Sequence, residues 1–167
     1  MKPGARGRLT HVDRSGRSRM VDVSGKPRTK RAAMARAAVT MRPETLTLIE
    51  ANRIVKGDVL ALAEVAGVMA AKRTAELIPL CHTLPLTDVQ VRAVPDRKAG
   101  GVAVEATAKT VAQTGVEMEA LVAVAVAALV VYDMCKAVDR EMTIERVRLV
   151  HKRGGRSGVY NRPGESK

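Results

Sequence analysis

Apolar and polar positions change period several times along this chain, and each change marks an element. Residues 84–94 alternate: Val89, Val91 and Ala93 fall against Asp88, Gln90 and Arg92. Residues 102–111 alternate again, and the segment between them reads Pro-Asp-Arg-Lys-Ala-Gly-Gly. Two alternating runs around such a turn predict a β-hairpin. Residues 57–77 carry Val59, Leu62, Val65, Ala66 and Met69 at helical spacing, which predicts a long helix. Lys72 and Glu76 add an i,i+4 ion pair there, and Pro79 closes the element. Residues 115–138 predict a second long helix, with small side chains throughout 120–130. Small side chains suit close packing against a sheet or a second subunit. Residues 142–151 alternate as a last strand through Ile144, Val147 and Leu149.

The N-terminal part is less uniform. Residues 20–24, Met-Val-Asp-Val-Ser, read as a short strand before a turn at Gly25 and Pro27. Residues 30–41 are ambiguous: their alanines favour helix by propensity, while 37–41 alternates as a strand does. Pro43 suits a first helical position, with Glu44 in the first turn and Leu46 and Ile49 on one face. After the last strand, Gly154-Gly155-Arg156-Ser157-Gly158 opens an irregular tail. The order strand, helix, strand, strand, helix, strand is the split βαβ arrangement. The expected fold is therefore α+β and ferredoxin-like, an antiparallel sheet with its helices packed on one face. The other face must find cover, which points to an oligomer.

Composition narrows the function classes. A chain of 167 residues makes one domain rather than two. Phe and Trp are absent and Tyr occurs twice, so Ala, Val, Leu, Ile and Met build the core. The same lack argues against modules that stack nucleobases on aromatic platforms. The net charge of +12 is uneven: residues 1–36 carry +9, residues 146–167 carry +6 and the body carries −3. Basic ends suit anionic partners, which keeps a non-catalytic nucleic-acid-binding module as the alternative reading. Residues 1–8 are expected to be a disordered basic tail and 159–167 a flexible one. Two cysteines make no disulfide framework. The N-terminus has no apolar signal core, and the most apolar run, near 121–131, is too short to span a bilayer. These features predict a cytoplasmic protein with reduced thiols and no membrane partner.

Several residues carry chemistry. Cys81 and His82 are adjacent in a loop segment. Cys81 reads first as a small buried hydrophobe, and His82 as a candidate acid, base or hydrogen-bond donor. Glu117 and Glu119 open the second long helix, where the macrodipole alone would welcome them. Asp133 and Lys136 lie three apart at the other end of that helix and so share a face. A surface ion pair explains them, but a carboxylate near a helix C-terminus opposes the dipole, which favours an acid/base pair tuned by proximity. Lys56 precedes a helix, and Lys152 precedes the glycine-rich segment. Ammonium heads and glycine backbone can hold phosphate oxygens, although the Walker spacing is missing. No set of His and Cys has zinc-ligand spacing.

Taken in order, these segments resemble the cyclic pyranopterin monophosphate synthases of molybdenum cofactor biosynthesis, the accessory protein C family. The matching runs are 9–11, 20–24, 39–42, 56–59, 70–74, 77–82, 114–121, 132–137 and 148–158. The resemblance implies a lyase that converts (8S)-3′,8-cyclo-7,8-dihydroguanosine 5′-triphosphate to cyclic pyranopterin monophosphate with release of pyrophosphate. It implies one catalytic domain over 9–158, a homohexamer built as a trimer of dimers, and a site at a subunit interface. It also implies that 30–41 is largely strand. Position by position, Asp133 matches the catalytic aspartate and Lys136 its partner lysine. Leu80, Cys81, His82, Met118 and Glu119 match substrate-contacting segments, and Lys56, Glu117 and Lys152 match further pocket positions. Arg31 and Lys72 match less securely. Thr83 departs from the family, which usually has Pro after the histidine. No resident cofactor or metal is expected, with Mg²⁺ conceivable only alongside the pyrophosphate, and no nucleic acid.

Overall fold

The structure is a computed structural model that describes residues 16–165. The expected tail at 1–8 and the matching run at 9–11 lie outside the described residues.

Strand β1 spans Thr29–Thr40, so the ambiguous segment is strand. Alternation decides against helix propensity because Ala33, Ala35, Ala37 and Val39 all fall on the buried face. A helix would scatter those positions around its axis. Helix α1, Pro43–Glu50, starts on the expected proline and buries Thr45, Leu46 and Ile49. Helix α2, Val59–Lys72, follows, capped by the Asp58 carboxylate, which accepts from the Ala61 N–H at 3.0 Å. The short α3, Thr74–Leu77, leads to the hairpin β2, Leu86–Asp96, and β3, Gly101–Ala112. Helix α4, Glu117–Cys135, then β4, Thr143–Arg153, and the two-residue β5, Tyr160–Asn161, complete the chain. The sheet order is β2-β3-β1-β4-β5, with every pair antiparallel. Its first four strands have the expected split βαβ order, and the fold class is α+β as expected.

Four local expectations need correction. Residues 20–24 form no strand: they run irregularly into a turn closed by Lys26 N–H donating to the Val23 carbonyl at 2.9 Å. Alternation there reflects a segment lying over other residues, not a ladder. The long helix of 57–77 breaks at Arg73, and the Thr74 hydroxyl donates back to the Ala71 carbonyl at 3.0 Å. Lys72 and Glu76 therefore lose their i,i+4 register. The face of α2 is also rotated from the expected one. Val59, Ala63, Gly67, Ala70 and Ala71 are buried, whereas Leu62, Val65 and Met69 are 47%, 56% and 52% exposed. The small residues face inward because α2 packs tightly against α4 and β2. A Cβ on Gly67 would lie 3.0 Å from the Ala123 carbonyl oxygen and 3.0 Å from a Val91 methyl. Finally, the segment after β4, expected to be irregular, includes β5, which pairs with β4, and Glu165 sits between Arg36 and Arg148.

The core has no aromatic side chain and closes by proximity instead. Ala120, Ala123, Val124, Ala127, Ala128 and Val131 of α4 are fully buried with the alanines of β1. Helix α4 is long and apolar enough to cross a bilayer by length and composition. Here that apolarity lies mainly inside the fold, against β1, β3 and α2.

Gly101 shows how little slack remains. A Cβ there would lie 1.9 Å from the Val39 carbonyl oxygen, so the backbone of β1 or β3 must shift. We expect Gly101→Ala to lower unfolding stability by at least about 2 kcal/mol in urea titrations. An unchanged midpoint would show that the strand ends yield freely.

Candidate active site

Helix α4 carries chemistry at both ends. At its C-terminal end, the Asp133 carboxylate holds two ammonium groups. Lys136 Nζ lies 2.7 Å from one oxygen, and Lys56 Nζ lies 2.8 Å from the other. Lys56 also donates to the Asp133 carbonyl at 2.8 Å, one of the helix's last carbonyls that no turn satisfies. Lys56 is carried by the α1–α2 loop, whose Gly57 has φ +106°, a conformation that favours glycine. The hydrogen bonds from Lys136 and then Lys56 hold the Asp133 carboxyl at about 2. Asp133 is therefore an anion at any working pH, and the cluster presents two ammonium groups around one carboxylate, all half-exposed to solvent.

At the N-terminal end of α4 lies a hollow of about 310 Å³ lined by Leu80, Cys81, His82, Gly115, Glu117, Met118 and Glu119, and also by Val21, Val23 and Lys26. The loop after α3 supplies the first three, with Cys81 N–H donating to the Ile78 carbonyl at 3.0 Å. The Glu117 carboxylate folds back over Gly115, 1.8 Å from where a Cβ would sit, a contact that a rotation of the Glu117 side chain would relieve. Glu119 is 4% exposed. Burial, and the nearby Glu117 charge to a lesser extent, raise its carboxyl to about 7 against an opposing backbone hydrogen bond. Near neutrality Glu119 can therefore donate as an acid or accept as an anion. The Cys81 thiol is pushed up by burial and by Glu119, so it is a weak nucleophile.

The expected site residues thus fall into two groups. Asp133, Lys136 and Lys56 are one, and Leu80, Cys81, His82, Glu117, Met118 and Glu119 are the other. Glu119 and Asp133 are fourteen positions apart on one helix, about 21 Å along its axis. Lys152 joins neither group directly: its ammonium bonds the Ser157 hydroxyl beside the glycine-rich turn. Arg31 sits between that turn and the hollow, donating to the Ala112 and Gln113 carbonyls at 3.1 Å each. A Cβ on Gly155 would strike its guanidinium. Lys72 is exposed at the end of α2.

Sequence reasoning missed part of the hollow's lining. The sequence pattern gives Val21, Val23 and Lys26 as strand and turn, and only the fold shows that they line the hollow with His82 and Glu119. Asp22 was missed too. The Ser24 N–H, donating at 2.8 Å, lowers its carboxyl most, and His82 adds a smaller attraction.

The fold is thus an α+β domain of split βαβ order, with a lysine–aspartate–lysine cluster at one end of α4 and a carboxylate-lined hollow at the other. The MoaC family profile matches residues 20–155, and the chain belongs to that family. Relatives named cyclic pyranopterin monophosphate synthase match nearly end to end. The protein of Pelotomaculum thermopropionicum is 60% identical over 157 residues, 94% of this chain and 92% of its own. That of Thermomicrobium roseum is 62% identical over 154 residues, covering 92% and 93%. That of Dinoroseobacter shibae is 60% identical over 152 residues, covering 91% and 96%.

The raised Glu119 carboxyl has a thermodynamic consequence. Its folded value of about 7 exceeds the ordinary 4.5, so its stabilising effect is complete below pH 4.5 and is lost as pH rises through 7. We expect Glu119→Gln to gain about 3 kcal/mol over the wild type between pH 4.5 and pH 8, read from urea midpoints at both values. A pH-independent difference would show that Glu119 ionises normally.

Proposed function

We propose that this chain is a cyclic pyranopterin monophosphate synthase. It converts (8S)-3′,8-cyclo-7,8-dihydroguanosine 5′-triphosphate to cyclic pyranopterin monophosphate and releases pyrophosphate, a lyase reaction in molybdenum cofactor biosynthesis. The observation that carries this reading is the Lys56–Asp133–Lys136 cluster, formed by residues to which the resemblance assigns the site, within a chain about as long as its relatives. A triphosphate brings several negative charges, which Lys56, Lys136 and Lys152 are suited to neutralise. Their charge leaves the proposal with no need of a resident metal.

The electrostatics of Asp133 and Glu119 support the following roles. Asp133 stays ionised, so it orients the two ammonium groups and does not itself deliver a proton. Lys136 is the acid or base of the proton transfers. His82 grips the substrate, and Glu119, able to donate or accept, pairs with the polar edge of the guanine-derived ring. Leu80, Cys81 and Met118 shape the hollow around it, with Glu117 at its mouth.

We further propose that the working unit is a cytoplasmic homohexamer, a trimer of dimers, in which one protomer's Asp133 cluster faces its partner's His82–Glu119 hollow. Two features support this. The two groups lie about 21 Å apart along α4, so the proposed roles are met more readily across two protomers than within one, and α2 leaves Leu62, Val65 and Met69 exposed in a stripe. Such a stripe is what a subunit interface covers.

The test is turnover of the cyclised GTP derivative, followed through pyranopterin and pyrophosphate together. We expect Lys136→Ala and Asp133→Asn each to abolish both products while folding normally. Full turnover in either variant would refute the assigned roles. Mixing Asp133→Asn with His82→Ala protomers should restore about a quarter of wild-type activity, because random exchange rebuilds one intact site in four. No recovery after verified subunit exchange would place each site within one protomer.

A further inference from the structure

The chain carries a second aspartate close to the lysine cluster, and its setting is the opposite of Asp133's. Asp139 is 2% exposed and lies in the turn that follows α4. Its carboxylate accepts three hydrogen bonds and makes one ion pair. Oδ2 accepts from the Arg42 N–H at 2.9 Å and from the Thr45 hydroxyl at 3.1 Å. Oδ1 accepts from the Glu141 N–H at 3.2 Å and faces the Arg42 Nε at 3.3 Å. The Arg42 guanidinium also bonds the Val138 carbonyl. Backbone bonds from the Asp139 and Val138 N–H groups to the Cys135 carbonyl, at 3.0 and 2.9 Å, close the turn from within.

Lys136 lies inside that turn. Its backbone is therefore fastened on one side to α4, through its N–H on the Tyr132 carbonyl at 2.9 Å, and on the other to the start of α1, through Asp139. Helix α1 has no side-chain cap of its own, so the Asp139 carboxylate fills that need from another part of the chain. The α1 segment leads directly into the loop that carries Lys56.

We propose that Asp139, through Arg42 and Thr45, is a positioning residue: it fixes the turn bearing Lys136 so that both Lys136 and Lys56 reach the Asp133 carboxylate. Its bearing on turnover rests on the reading of Asp133 and Lys136 as catalytic. The placement itself does not, and it can be measured without substrate.

The charged groups facing Asp133 are Lys136 from its own turn and Lys56 from the α1–α2 loop. Those around Asp139 are Arg42 and, on α4, the Cys135 thiol, pushed up to about 11 by burial first and by Asp139 second. Asp139→Asn keeps the shape but turns one acceptor into a donor, so at one of the two positions a donor faces a donor and the contacts there must be broken. The two explanations of its effect then differ in sign. Removing a negative charge through space would lower the Asp133 pKa. Loosening Lys136 would raise it, because the ammonium contact that holds the carboxylate weakens. Thr45→Val removes one donor with no change in charge and serves where Asp139→Asn folds poorly.

The experiment is the ¹³Cγ titration of Asp133 in the free protein from pH 7 to pH 3.5, assigned by Asp133→Asn, alongside kcat and KM for the same variants. We expect Asp139→Asn to raise the protonated fraction of Asp133 at pH 3.5 several-fold, with Thr45→Val shifting it the same way by less. We expect kcat to fall at least about tenfold for Asp139→Asn with KM within about threefold. An Asp133 titration that is unmoved or shifted downward in both variants would overturn the proposal. An upward shift in a protein without turnover would leave the positioning intact and refute only the catalytic reading.

Discussion

Everything in this molecule depends on how closely α4 lies against β1 and α2. With no Phe or Trp in the chain, the core cannot bridge wide gaps with large rings, so backbones must approach instead. Alanines at 33, 35 and 37 on the strand meet alanines at 120, 123, 127 and 128 on the helix. Gly67 lets α2 come within a Cβ's reach of the Ala123 carbonyl. Close-packed interiors transmit displacement because voids are few. A helix held so rigidly on two sides makes a stable bar, and the chain places a different chemistry at each end of it.

The two ends are opposite electrostatic problems with opposite solutions. At the N-terminal end the macrodipole welcomes anions, yet burial of Glu119 overcomes that benefit and raises its carboxyl to about 7, so that near neutrality it exists in both forms. At the C-terminal end the dipole opposes an anion, yet Asp133 is held ionised by two lysines. A carboxyl that can carry its proton and a carboxylate that cannot are thus fixed on one rigid element. Divergent environments for paired titratable groups are how a fold separates acid from base roles.

The hairpin, the two long helices and the last strand were legible because their periodicities are long and unmixed. The 30–41 strand was legible only in its last residues, where Val39 and Met41 alternate with Thr40. Its alanines are equally at home in a helix, and burial on a sheet decides between the two. The face of α2 misled for a related reason: large apolar residues draw the eye, whereas a close interface selects Ala and Gly and leaves Leu62, Val65 and Met69 outside. The Asp133–Lys136 pair could be read from an interval of three. Lys56 as their partner could not, since it lies 77 positions from Asp133 and only the fold of α1 brings it there. The same holds for Val21, Val23 and Lys26, which only the fold brings to the lining of the hollow.

Asp133 and Asp139 show why the lysine cluster is better explained by chemistry than by folding. Both are aspartates of one helix end, six positions apart. Asp139 is sealed from water and fully supplied with donors, and burial, which alone would raise its carboxyl, is outweighed by them. That is how a chain keeps a buried carboxylate for structure. Asp133 is half-exposed, sits at the unfavourable end of the dipole, and binds two lysines that are half-exposed as well. Exposed ion pairs contribute little to stability, so folding gains almost nothing from gathering two long, flexible cations around an anion in water. What the arrangement does supply is two ammonium groups gathered at one solvent-facing place, the charge that the triphosphate of the proposed reaction calls for.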